Sequence, residues 1–177
     1  MDYKKYQFRI LCEDKAHYNF VRGWLEKKGA HRRVENIGEL PHEASGKVFV
    51  MQNFAAALKK VRNLSARVKT FLIVVIDADN NPPDDIVRML PADDLDPVFY
   101  VIPKWSIETW ARFLMEPDRD DAIDESKSCK NEFRNAKFTN LGKQLADMDW
   151  SQAQTRPDSL LSSYNNIRQK KRSLALI

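Results

Sequence analysis

The 177-residue chain is poor in the residues that build staples, fibres and membrane spans. It has only five glycines, which together with 31% charged residues argues against a fibrous or low-complexity polymer. Its two cysteines, Cys12 and Cys129, are far apart, with no CxxC pair and no Cys/His cluster, so neither a disulfide scaffold nor a structural zinc site is expected. The longest apolar run, Phe71 to Ile76, is far shorter than the roughly 20 residues that cross a bilayer. The stretch MDYKKYQFRILCEDK is charged within its first five residues and lacks a long apolar core, so no secretory signal is expected. What remains is the expectation of a soluble, reduced, cytoplasmic protein without a membrane partner. At 43% hydrophobic and 10% aromatic it has the means to bury a core without staples.

The net charge of +4 conceals a segregation. Residues 1–70 carry 15 Lys and Arg against 7 Asp and Glu; residues 71–126 carry 4 against 14; residues 127–177 carry 10 against 4. An acidic centre between basic flanks suits a hard cation with a polyanion held beside it. Ordinary solvated charge on exposed helices is the plain alternative.

Strand and helix signals alternate along the chain. Tyr6–Cys12 reads as a strand, and KAHYNFVRGWLEKKG as a helix with Phe20, Val21, Trp24 and Leu25 inward, stopped by Gly29. Arg33–Ile37 is a second, short strand, and GELPHEASG a loop. Met51–Arg62 is helical, with Phe54, Leu58 and Val61 on one face and Lys59, Lys60 and Arg62 on the other. Lys69–Ile76 has no polar alternation, which predicts a strand covered on both faces. Asp84–Leu90 is a short helix, Val98–Ile102 a fourth strand, and Ile107–Met115 a helix with Ser106 at its N-cap. EPDRDDAIDESK, 116–127, is a polar linker; beyond it the pattern is weakly helical, with Tyr164, Ile167 and the basic RQKKR in a final amphipathic helix or tail. The alternation predicts an α/β fold with a mostly parallel, four-stranded sheet flanked by helices.

Ligands of such sheets collect at the carboxyl ends of the strands. Glu13 follows the first strand, Asp77 and Asp79 follow the third, and Glu108 opens the helix after the fourth. Carboxylates gathered at one sheet edge repel one another unless a cation sits among them, and Mg²⁺ is the usual one. Each also has a structural explanation: Glu13 and Glu108 as acids at helix N-termini, Asp77 and Asp79 as turn formers before NNPP. His17, one helical turn beyond Glu13, is placed to assist it, but reads more readily as a surface histidine.

These residues carry a resemblance. A glutamate after the first strand, in ILCEDKAHYNFVRGWLEKKG, followed by a hydrophobic strand ending in Asp-x-Asp, LIVVIDADN, resembles the TOPRIM domain of topoisomerases, bacterial primases and nucleases of the overcoming-lysogenization-defect type. YVIPKWSIETWARFL is similar to small stand-alone TOPRIM-like proteins of bacterial defence systems. The resemblance covers residues 6 to about 115; it implies a TOPRIM-like unit over 1–115, with 116–177 as an acidic linker and mainly helical extension packed on it. It implies Mg²⁺, with Mn²⁺ as a substitute, held by Glu13, Asp77, Asp79 and Glu108, which would also be the catalytic acids. Two positions depart from the pattern: Asp14 stands where many relatives have glycine, and Asn80-Asn81-Pro82-Pro83 stands where they have glycine past the second aspartate.

Because the chain has room for neither a topoisomerase's tyrosine domain nor a primase's zinc ribbon, the resemblance implies phosphodiester hydrolysis: a nuclease acting on DNA or RNA, as an effector of anti-phage defence. Lys104 and Arg112 flank Glu108 and are candidates for contacting a phosphate; Lys15, Lys59, Lys60 and Arg62 are candidates for holding the nucleic-acid backbone. No helix-turn-helix or aromatic RNA motif appears, so low sequence specificity is expected. Trp105 and Trp110 read as core or partner-contact residues. An ATPase partner protein is the implied controller, and a homo-oligomer is left open. The alternatives are a TOPRIM-like subunit that no longer cuts and docks onto a larger ATPase-containing complex, and a phosphatase of the haloacid-dehalogenase type, in which Asp-x-Asp ends the first strand rather than the third.

Overall fold

A computed structural model describes residues 2–30, 33–37, 46–65, 68–126, 128–150 and 156–174. Four parallel strands, β1 (Gln7–Cys12), β2 (Val34–Asn36), β3 (Thr70–Val75) and β4 (Val98–Val101), form one sheet in the order β2-β1-β3-β4. The helices are α1 (Lys15–Lys27), α2 (Gly46–Ser65), α3 (Pro83–Met89), α4 (Ile107–Met115), α5 (Lys130–Phe133), α6 (Phe138–Asp147) and α7 (Asp158–Ser173). The fold is therefore the α/β, Rossmann-like architecture that the alternation predicts. Of the loop GELPHEASG, residues 38–45 lie outside the described residues. No helix among the described residues is long and apolar enough to cross a membrane.

β3 shows why its sequence has no polar alternation. All six of its residues are buried. Phe71, Ile73 and Val75 face a core shared with α1, α4, α6 and α7, whereas Leu72, Val74 and Ile76 face a second core under α2 and α3. Both sheet faces are covered, so both sets of side chains leave water, at about 1.5–3 kcal/mol for each fully buried large aliphatic or aromatic residue. β1 pairs with β3 over six residues, from Gln7 with Thr70 to Cys12 with Val75, and this register sets the ends of the two strands level with each other.

Two glycines set the spacing on the first face. Gly23 of α1 lies so close to α6 that a Cβ there would sit 2.1 Å from the Thr139 carbonyl oxygen. Gly142 of α6 is the reciprocal contact, 1.9 Å from the Phe20 carbonyl oxygen by the same construction. Backbone packs on backbone at this crossing.

The C-terminal helices complete that face. The Ser163 hydroxyl accepts from the Ile102 amide at 3.1 Å, pinning α7 beside the end of β4. Glu125, buried, accepts from the Ser159 amide at 2.8 Å and from the Ser159 hydroxyl, so it caps the N-terminus of α7. Trp110 donates its indole N–H to the same hydroxyl at 2.8 Å. At the other end of α7 the Lys171 ammonium meets the Tyr3 hydroxyl, 168 positions earlier in the chain, and lies 5.0 Å above the Tyr3 ring. Part of 116–127 thus differs from a free polar linker: Ala122 and Glu125 are buried and Glu125 ties the segment to the core.

Candidate functional site

The strand order fixes where a site belongs. From β1 the chain crosses through α1 to β2 on one side, while β3 lies on the other side of β1 and leads on to β4. The crevice beyond the carboxyl ends of β1 and β3 is therefore the switch point, where loops part and leave room for a ligand. Glu13 is the first residue after β1, and Asp77 the second after β3.

The two meet directly. The Asp77 amide donates to Glu13 Oε1 at 2.7 Å. Beyond Asp77 the main chain stays pinned to the extension of β4, with Ala78 N–H on the Pro103 carbonyl at 2.8 Å and Asn80 N–H on the Lys104 carbonyl at 2.7 Å. Asp79 and Asn80 then turn back in the left-handed region, at φ of 50° and 64°. Asp and Asn are the non-glycine residues that tolerate this conformation best, which is how a turn of this kind is made without glycine.

His17 is not the surface residue that its position predicts. It is 1% exposed and lies between two carboxylates, its Nδ1 2.7 Å from Asp14 Oδ1 and its Nε2 2.8 Å from Asp77 Oδ1. A carboxylate on each ring nitrogen requires a proton on each, so the imidazole is cationic. Burial alone pushes His17 down, but the charge of Asp77 and the bonds to both aspartates outweigh it and hold the group well above its ordinary range. Burial likewise works against ionised Asp14, yet its bonds to the ring and to the His17 amide, where it caps α1, hold it well below the usual carboxylate range. Lys47, the second residue of α2, reaches Asp79 Oδ2 at 2.7 Å. The start of α2 is itself set by Gly46, where a Cβ would lie 2.6 Å from both the Cβ and the carbonyl oxygen of Glu13.

Glu13 is pushed up to about 7, first by burial and then by the negative charge of Asp77, with His17 opposing. Because the folded chain holds this proton more tightly than the unfolded chain does, the associated stability is complete below about 4.5 and is lost as the pH rises through about 7. Glu13→Gln keeps an acceptor for the Asp77 amide and cannot ionise. In EDTA it is expected to exceed the wild type in stability by about 3 kcal/mol at pH 8 and by much less at pH 5. Urea titrations at the two pH values check this; a variant weaker than wild type at pH 8 contradicts it.

The other predicted residues fall in different places. Glu108 is in the first turn of α4, 5% exposed, but no hydrogen bond joins it to Glu13, Asp77 or Asp79 among the described residues. Beside it Ser106 occupies the N-cap position without making the side-chain cap bond, and the hydroxyls of Ser106 and Thr109 are buried without partners. Arg112 is not presented to a phosphate: it is 4% exposed and its guanidinium is bonded to the Asp121 carboxylate at 3.2 Å and to the Asp124 carbonyl. Arg62 is likewise committed, gripping Asp96 through two 2.6 Å bonds and Asp93 at 3.2 Å. Lys59 and Lys60 are exposed, but with Arg62 they sit near the far end of α2, about 20 Å along the helix from Gly46. Lys15 is exposed at the start of α1, next to Glu13, and Lys104 is half-buried beside the Asp79 turn.

No protein-family model matches the chain, and neither the curated proteins nor the solved structures compared with it contain a match. The geometry must therefore speak for itself. Glu13, Asp77 and Asp79 offer an all-oxygen donor set in which one oxygen of each is held by a protein donor, while no hydrogen bond reaches the other among the described residues. That chemistry fits a hard divalent cation. It is not a finished cage, since no three His, Cys, Asp or Glu side chains among the described residues are grouped to hold an ion. Lys47 was not legible as a member of this site, and His17 was legible only as the lesser of two readings. Asp14 and His17 are separated by three positions at a helix start, a local spacing from which their pairing could have been read.

Proposed function

We propose that this protein is a divalent-cation-dependent phosphodiester hydrolase acting on nucleic acid. One observation carries the reading: acids 64 positions apart converge at the switch point, with Glu13 bonded to the Asp77 amide and titrating near neutrality. A carboxyl poised near the operating pH suits proton transfer to or from a reacting oxygen. Asp77 is oriented by the buried imidazolium of His17, and Asp79 is presented on a left-handed turn. Glu13, Asp77 and Asp79 would hold Mg²⁺ or Mn²⁺; such an ion supplies Lewis acidity and an activated water when bound. Lys15 and Lys104 border the site and would contact backbone phosphates. The likeness to TOPRIM nucleases supports the same chemistry, and its two departures are met here by the Asp14–His17 pair and by the Asp79–Asn80 turn. An effector role in anti-phage defence, under an ATPase partner, is the setting this likeness proposes.

The test is cleavage of plasmid DNA and of tRNA with Mg²⁺ or Mn²⁺. Cleavage is expected from the wild type and should fall by about 10²–10⁴-fold in Glu13→Gln and in Asp79→Asn. Intact substrate under every metal overturns the reading. A second reading has its own observation: His17 and Lys47 already sit on the carboxylates, as they would in a subunit that docks without cutting. Binding of nucleic acid without cleavage favours that subunit, and turnover of p-nitrophenyl phosphate alone favours a phosphatase.

A further inference from the structure

Lys47 holds two positions at once. Its ammonium is on Asp79, 2.7 Å from Oδ2, and its side chain, 20% exposed, also lines a groove of about 470 Å³ between α2 and α3. The groove is lined by Met51, Ile86 and Met89 together with Asn81, Asp85 and Arg88. Arg88 is 76% exposed and uses one guanidinium nitrogen on Asp85, at 2.7 Å. Two cations on a methionine-rich lining, whose one acid, Asp85, Arg88 already answers, suit the phosphates of a nucleic-acid strand.

We propose that Lys47 is a resident counter-ion which keeps Asp79 from the divalent cation until substrate arrives, then turns into the α2–α3 groove to hold a phosphate of the nucleic-acid strand. This rests on the hydrolase reading above. The argument is one of charge and place. Among the described residues Asp79 is the only one of the three site acids that a lysine holds, and it is the most exposed, at 60% of its side chain. An ammonium and a divalent ion on one carboxylate repel each other, so the cation and Lys47 compete for Asp79. Gly46 seats the start of α2 directly against Glu13, which keeps Lys47 within reach of the acids. Its flexible four-carbon stem can swing without moving the helix, and the groove is the space it already borders. Substrate phosphate thus relieves Asp79 at the moment when the cation is needed.

The test uses the full chain, Mn²⁺ titration by calorimetry, and anisotropy of a short labelled poly-dT or poly-U strand in Ca²⁺. Lys47→Met keeps the apolar stem. It is expected to bind Mn²⁺ about fivefold more tightly than the wild type, the scale of one part-exposed ion pair removed from the competition. The same variant should bind the strand more weakly, with the slope of log K against log salt reduced by about one. Arg88→Met should weaken strand binding and leave Mn²⁺ affinity unchanged. Mn²⁺ binding that depends on Asp79 but is no tighter in Lys47→Met overturns the counter-ion role and leaves the hydrolase reading standing. Strand binding unaltered in both variants overturns the groove. Absence of Mn²⁺ binding from wild type and Lys47→Met alike ends both ideas, whereas binding by Lys47→Met alone supports the exclusion directly.

Discussion

Gly142→Ala is expected to lower stability by about 3 kcal/mol or more, the upper range for overpacking a core, and the thermal midpoint by roughly 10 °C. The added methyl would lie 1.9 Å from the Phe20 carbonyl oxygen and 2.9 Å from the Trp24 nitrogen, both backbone atoms that cannot rotate aside. To admit it, α6 must lift from α1 along the crossing, loosening Leu141 and Leu145 from the core they share with Phe20 and Leu25. Gly29→Ala is the control. It must adopt a φ of +96°, but its methyl meets only the stem of Lys4 at 3.4 Å, so a loss of about 1–2 kcal/mol is expected. Chemical denaturation followed by circular dichroism ranks the two, and a Gly142 variant no worse than the Gly29 variant refutes the crossing geometry.

His17→Leu should cost about 3–5 kcal/mol, the scale of breaking a buried ion pair from one side. The loss comes less from the imidazole's own packing than from Asp77, 4% exposed, which keeps its carboxylate in a dry place without the charge that balanced it. The effect has a pH signature. A raised histidine contributes its full stability below its ordinary value of 6.5, and loses it as the pH rises through its higher folded value. The deficit of His17→Leu against wild type is therefore expected to be larger at pH 6 than at pH 9. A pH-independent deficit, or one under about 1 kcal/mol, would show that His17 is only a packing residue.

Much of the frame was legible because it depends on local pattern. An unbroken apolar run ending in charge marks a central strand, and β3 is one. The helix predicted at Ile107–Met115 is α4 with the same bounds. The start of α2 was read five residues late, since GKVFV, with Val50 alone buried, carries too little periodicity to extend the helix back to Gly46. The convergence of Glu13 with Asp77 followed from strand ends and topology. The residues that balance their charge did not, because nothing near His17 or Lys47 in sequence reveals partners 60 and 32 positions away. Arg112 and Arg62 misled for the same reason. A cationic side chain reads as available for phosphate until the aspartates that occupy it, Asp121 for one and Asp93 and Asp96 for the other, are brought alongside by the fold.

The meeting of Tyr3 with Lys171 ties two segments 168 positions apart into one wall. α7 adds Leu160 to the core that also contains Phe8 and Ile10 of β1, so an early and a late element close the same face of the sheet together with α1, α4 and α6. Local opening at either segment therefore uncovers the other, and the two are expected to exchange their amide hydrogens as one unit.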